Sequence, residues 1–282
     1  MKRTICICTL LILSFSIVKA EGWIYSIDQA KTLARLNNKL ILIDFYADWC
    51  QPCKKMDFET WSKPLVKDQM KKMIASKIDI DVKSSLAAQY GIKAIPAVVI
   101  IDASGNVLLK EIGYKSEEQM VNLLSGFPEE VEEIYIPLEQ MDENPKNPKA
   151  ICNLAKAYQE IAKSSSGKGK DVMIKSSNYY FSKAQKIFKK DKNNIELERI
   201  NLYKCYNLIL NERPKPAIKN LEKTGIENVR ESNKVLCYFI AANAYIALED
   251  KKNAQKYFEK LKVIEGANNY LHELVLLETN LK

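Results

Sequence analysis

The sequence has one histidine, His272, in 282 residues. That scarcity excludes most catalytic triads that use imidazole as the base. Zinc, the competing use of a Cys-x-x-Cys pair, needs two more Cys or His ligands at compatible spacing, and His272 lies far along the chain from the pair. His272 lies in the last helical segment and reads as a surface residue. Cysteine is sparse too, with seven in the chain. Their irregular spacing is not that of a disulfide-stapled scaffold. No apolar run after the first twenty residues approaches the ~20 needed to cross a bilayer. No stable membrane span is therefore expected once a leader is removed. The formal charge of +8 falls to +5 when Lys2, Arg3 and Lys19 are set aside. The remaining lysines are interleaved with acids, which gives no nucleic-acid footprint.

Against these absences, 47% of residues are hydrophobic, enough for two ordinary globular domains. Lys2 and Arg3 precede an apolar run, Ile5 to Val18, and Val18-Lys19-Ala20 offers small residues at a cleavage site. Residues 1–20 are expected to be a secretory signal peptide, and the mature protein to be exported into a periplasmic or other extracytoplasmic space. An uncleaved N-terminal anchor is the alternative. Cleavage leaves five cysteines: one tight pair, Cys50 and Cys53, and three scattered ones. Cys152, Cys205 and Cys237 sit in apolar helical contexts and read as small core residues, with a disulfide between two of them as the alternative.

The tight pair carries the chemistry. Leu40-Ile41-Leu42-Ile43 reads as a buried strand. It leads through Asp44-Phe45-Tyr46-Ala47-Asp48-Trp49 into Cys50-Gln51-Pro52-Cys53, where a helix starts. A sulfur at a helix N-terminus is stabilised as thiolate by free N–H groups and the dipole. A thiolate is the species that attacks disulfides. Cys50 is expected to be the nucleophile and Cys53, one turn further in, the more buried resolving thiol. Pro52 fixes the start of the helix. Asp44 in an apolar strand is costly unless used, which suggests a proton acceptor for Cys53. An ion pair with Lys77 is the other reading. Ile95-Pro96 is a natural cis site whose backbone can pair with an extended substrate; an ordinary strand-starting proline is its alternative. Trp49 either shields the sulfur and touches substrate or packs on the surface. No cofactor and no metal are expected beyond a redox-active Cys50–Cys53 disulfide.

Around the pair, the spacing predicts helices over 23–38, 50–57, 62–72 and 84–90. It predicts strands over 39–46, 77–82, 97–101 and 107–112, then a helix over 116–127, with Asp28 near the first N-cap. This is an α/β order with a mixed central sheet covered by helices on both faces. Residues 129–143 carry seven acids and no Lys or Arg, and two prolines follow; 129–148 is expected to be a linker, part-ordered around Ile134 to Leu138. From 149 to 282 the pattern is helical, with breaks at 164–170, 190–194, 212–216, 225–228 and 249–253. Tyr238, Ala241, Ala242, Tyr245, Ala254, Phe258 and Leu261 have tetratricopeptide-like spacing. Ile151, Leu154, Ala155, Tyr158, Phe181 and Ala184 repeat it with a longer loop. Stacked pairs of this kind leave a concave face for a protein partner.

Residues 21–128 resemble the thioredoxin family. The likeness rests on Asp44 six residues before Cys50, Phe45-x-Ala47-x-Trp49-Cys50-x-Pro52-Cys53-Lys54, Tyr90-Gly91-Ile92-x-x-Ile95-Pro96, Lys77, Gly105 and Gly113. Tyr46 to Cys50 with Lys54-Lys55-Met56 and Glu59-Thr60-Trp61 is also similar to the C-terminal domain of DsbD-type thiol:disulfide interchange reductases. The resemblance implies a thioredoxin fold followed by an all-α, tetratricopeptide-like region. It implies a thiol:disulfide oxidoreductase with Cys50, Cys53, Asp44 and Lys77 as catalytic residues and Trp49, Ile95 and Pro96 against substrate. Partners would be protein disulfides, an upstream electron donor and a protein held by the helical repeats. A non-catalytic adaptor that uses the fold as a docking scaffold is the alternative. Gln51 and Tyr46 depart from thioredoxin proper, and the dipeptide between the cysteines helps set redox poise.

Overall fold

The computed structural model describes residues 22–279, so the expected signal peptide lies outside the described residues. Ile24 bridges Ser76 in parallel, so the chain enters along the sheet before any helix begins. Helix α1 (Ile27–Asn37) is capped by Ser26, whose hydroxyl accepts from the Gln29 N–H. Asp28 sits close to that cap, in the first turn beside the dipole. Asn38 ends the helix at φ 53° in the left-handed region, which Asn tolerates better than most residues.

Strand β1 (Leu40–Tyr46) is buried from Leu40 to Phe45. An unbroken buried run means that both faces of the strand are covered. Helix α2 (Gln51–Met56) follows and continues as a π-turn, Asp57–Trp61. Helix α3 (Pro64–Met70) starts on its proline. Strand β2 runs Met73–Asp79, four residues ahead of the expected 77–82. Ser76 and Lys77 are polar yet buried there, because Ser76 bonds the Ile24 carbonyl and Lys77 finds acids. Ile80 and Val82 fall in the turn. Helix α4 (Ser84–Gln89), β3 (Ala97–Ile101), β4 (Val107–Ile112) and α5 (Glu117–Ser125) complete the α/β part. A capping box between Ser116 and Gln119 opens α5. The sheet order is β2-β1-β3-β4, with β1 parallel to β2 and antiparallel to β3.

The stretch expected as an acidic linker is largely helical. A 3-10 turn, Glu132–Ile134, leads into α6 (Tyr135–Glu143). Val131, Ile134, Tyr135, Leu138 and Met141 are buried, a helical stripe that the intervening acids mask in the sequence. Helices α7 (Pro148–Ser164), α8 (Gly167–Lys190), α9 (Asn194–Leu210), α10 (Pro214–Thr224), α11 (Glu231–Ile246), α12 (Lys251–Lys262) and α13 (Asn268–Thr279) follow. The break expected over 164–170 shrinks to Ser165 and Ser166.

The helical part does not hang free. One buried cluster runs from Ala30 through Phe127 and Tyr158 to Ile200. A second holds Leu202 to Leu274. Because β3 is antiparallel to β1, its last residue, Ile101, lies opposite Ile41, away from the cysteines. There the Tyr158 hydroxyl donates to Asp102 Oδ2 at 3.0 Å, and Arg35 pairs with Asp142 at 3.2 Å. Helices α6 and α7 thus meet the sheet at the end opposite the Cys pair, while α8 reaches the β4 edge, where Lys168 pairs with Glu111 at 3.6 Å.

Candidate active site

β1 delivers the chain to the site and Pro52 sits in the first turn of α2. Cys50 is the N-cap of that helix. It is joined to Cys53 in a disulfide with a Cα–Cα distance of 5.3 Å, and its Sγ also accepts from the Cys53 N–H at 3.2 Å. The expectation that Cys53 is the more buried thiol is not met: Cys50 is 3% exposed and Cys53 4%. Cys50 and Cys53 cluster with Ala47, and Tyr46, Ile80 and Ile95 pack against them.

Asp44 is 2% exposed. The register of β1 on β2 sets Lys77 directly beside it, with Nζ 3.7 Å from Oδ2. Burial pushes the Asp44 carboxyl up to about 7, against the pull of Lys77 and with added push from Asp57. The buried indole N–H of Trp61 faces this carboxyl and lowers it somewhat, though neither it nor Oδ1 completes a hydrogen bond. The ion pair of Asp44 with Lys77, one of the two expectations, is present. Lys77 is pulled strongly to a second acid, Asp57, through a short ion pair. Its ammonium also lies over the Tyr46 ring at 4.8 Å and the Trp23 ring at 5.6 Å.

Asp57 was not among the residues picked from sequence. It follows Cys53 by one turn, and its N–H bonds the Cys53 carbonyl. Its i, i+4 spacing from Cys53 does not by itself mark it; the register of β1 on β2 brings Lys77 within its reach. Through Lys77 it ties buried Asp44 to the helix that bears the disulfide, and it is itself half-exposed.

Trp49 is 63% exposed and donates to Asp81 Oδ2 at 2.8 Å, which fixes the ring at the mouth. The Ile95–Pro96 bond is cis. Pro96 is buried and its carbonyl accepts from the Gly113 N–H at 2.8 Å. The backbone N–H and C=O of Ile95 find no partner in the chain among the described residues. The structure thus gathers Cys50, Cys53 and Ile95 in one cluster and Asp44, Lys77 and Asp57 in an adjoining one, with Tyr46 touching both.

The other cysteines do not compete. Cys152, Cys205 and Cys237 are free. Burial raises Cys205 to about 11 and Cys152 and Cys237 to about 12, so none is a ready thiolate. No group of His, Cys, Asp and Glu suited to a metal ion occurs among the described residues.

The thioredoxin family model matches residues 26–125. Thioredoxin H4 of Arabidopsis thaliana is 35% identical over 108 residues, covering 37% of this chain and 82% of that protein. Mitochondrial thioredoxin of Mus musculus is 36% identical over 80 residues, covering 28% of this chain and 46% of that protein. Among solved structures, the oxidised DsbD C-terminal domain of Neisseria meningitidis is 22% identical with a TM-score of 0.31, and the match covers 36% of this chain and 94% of that one. A disulfide-forming Cys pair at a helix N-terminus, followed by a cis-proline loop, sits within the matched residues, and the chain belongs to the thioredoxin family as a thiol–disulfide oxidoreductase.

Proposed function

We propose that this protein is an exported dithiol reductant of protein disulfides whose helical part recruits the partner. The observation that carries the reading is Asp44. A carboxyl held near 7 inside the fold can take and return a proton at neutral pH, and Lys77 and Asp57 link it to the helix of Cys53.

In the dithiol state, the Cys50 thiolate attacks a substrate disulfide. The substrate S–S bond breaks, a Cys50–substrate bond forms, and the departing sulfur takes a proton. The Cys53 thiol then gives its proton to Asp44 and attacks Cys50 Sγ. The mixed disulfide breaks, and the second substrate sulfur leaves and is protonated in turn. Two electrons have passed to the substrate, and the Cys50–Cys53 disulfide is the product. A dithiol donor must restore it. Trp49 and the unpaired backbone of Ile95 are placed to line up an extended substrate strand beside the sulfurs.

Export is supported by the basic, apolar and small-residue pattern of residues 1–20. Recruitment is supported by the helix pairs α7 with α8, α9 with α10 and α11 with α12, which pack in succession, as tetratricopeptide-like repeats do. The test is insulin reduction by the full mature chain. Cys50→Ser abolishes it, while Cys53→Ser accumulates mixed disulfides on non-reducing gels. If both variants reduce insulin like the parent, the reading fails.

A further inference from the structure

Along the chain as a whole lysines alternate with acids, but α8 departs from that rule. It carries seven lysines and one acid, Asp171, a net +6. Once Lys2, Arg3 and Lys19 are set aside the chain carries +5, so everything outside α8 sums to −1. The excess charge of the molecule therefore sits on one helix. From Lys175 to Lys190 that helix has five lysines and no acid. At 3.6 residues per turn, Lys175, Tyr179, Lys183, Lys186 and Lys190 fall within an arc of about 80° that runs for about 22 Å. Phe181, Ala184 and Phe188 lie on the opposite side and are buried, so the arc is held outward by packing.

The lysines of the arc are uncompensated. The ammonium groups of Lys175, Lys183, Lys186 and Lys190 make no ion pair or hydrogen bond among the described residues; the ion pair of α8 belongs to Lys168. The neighbouring helix α9 adds a cation and no free acid. Its Lys204 donates to Ser182 Oγ at 3.1 Å and Gln185 Oε1 at 2.8 Å of α8, while its Glu196 and Glu198 are taken by Arg199 and Arg230. In the middle of the arc Tyr179 is 62% exposed, its ring set edge-on against Tyr180 at 5.0 Å.

A straight, rigid row of point charges matches a flat anionic surface. Lysine without arginine offers no planar fork for paired phosphate oxygens, which weighs against a nucleic acid. One exposed aromatic ring is too little for the apolar centre of a protein interface, but a tyrosine amid lysines is the side chain that settles at the headgroup level of a bilayer. Clustered lysines on one helix face gain attraction from each anionic lipid they approach. We propose that the lysine face of α8 docks the protein on a bilayer rich in anionic phospholipid. The inference goes beyond the reductant reading and does not rest on it.

The experiment sediments the full mature chain with vesicles of phosphatidylcholine, with and without about 30% phosphatidylglycerol. The chain is expected to bind the anionic vesicles, to ignore the neutral ones, and to be released by about 0.5 M salt. Lys175→Gln/Lys183→Gln/Lys186→Gln/Lys190→Gln should bind at least about tenfold more weakly. Lys215→Gln/Lys219→Gln/Lys223→Gln/Lys252→Gln removes the same charge from exposed positions on α10 and α12 and should stay within about twofold of the parent. A second readout needs no variant: acetylation of the parent's lysines, mapped by mass spectrometry, should be slowed by anionic vesicles at Lys175, Lys183, Lys186 and Lys190 but not at Lys215, Lys219 and Lys223. Equal binding to neutral vesicles, equal loss in both variants, or protection on α10 instead of α8 overturns the inference. So does a short duplex DNA that binds the parent more tightly than the anionic vesicles at the same salt, because the face would then be a nucleic-acid site.

Discussion

At Asp44 the fold holds a carboxyl near 7 that would titrate near 3.8 in the unfolded chain. Below both values each state is protonated and the group is neutral to stability. As pH rises through 3.8 the unfolded chain releases a proton that the folded chain keeps, so stability falls until about 7 and is level above it. The whole effect is roughly 4 kcal/mol at pH 8. Asp44→Asn should therefore be more stable than the parent at pH 8 in urea unfolding, with the gap narrowing toward pH 4, while the resolving step of disulfide reduction slows. A gap that does not change with pH would show that Asp44 is ionised in the fold. Asp44, Cys50, Cys53, Lys77 and Pro96 could all be picked from sequence, because each sits at a spacing set by one strand, one helix start or one loop. Asp57 could not. It becomes part of the site only through the parallel register that lays Lys77 beside Asp44, and no local spacing encodes that register.

Helices α5 and α8 approach each other at two glycines. A Cβ on Gly169 would lie 2.1 Å from the Gly126 carbonyl oxygen, and one on Gly126 would lie 2.4 Å from the Ser166 oxygen. Gly126 is also the acceptor for the Ser166 N–H at 3.0 Å. Backbone cannot yield as a flexible side chain can, so Gly169→Ala should cost about 1–3 kcal/mol despite its better helix propensity. A urea midpoint equal to or above the parent's would refute this contact. The same pair explains a misreading. Ser164 to Lys170 looks like a loop because serine and glycine break helices, yet Gly169 lies in the first turn of α8 and is there for closeness. In β2 the misreading has the opposite source: buried Ser76 and Lys77 are satisfied by partners remote in sequence, so strict alternation starts the strand too late. The strands β1, β3 and β4 were legible because their apolar runs and the 102–106 turn are local signals.

Across the whole molecule, the α/β part and the first helices share one core. Composition divides the chain near residue 129, because seven acids there suggest solvent, but the apolar stripe of α6 closes that gap. Asp102 makes the same point: it is fully buried and bonds Asn106 and Ser104 locally and Tyr158 across the junction. Removing residues 145–282 strips Tyr158 from Asp102 and uncovers Val131, Ile134 and Leu138. The truncated chain should lose at least about 3 kcal/mol of stability, read as a lower urea midpoint for the α/β signal. An unchanged midpoint would mean that the helices are merely tethered. Helices α6 and α7 dock at the far end of the sheet while α8 reaches β4 through Lys168 and Glu111, and the role proposed for the Cys pair is that of a dithiol reductant. The most direct test of that role is the reduction potential of Cys50–Cys53 in the full mature chain, titrated against glutathione. A dithiol reductant should lie close to the thioredoxin value of about −270 mV, and a value near the DsbA figure of about −120 mV would contradict it.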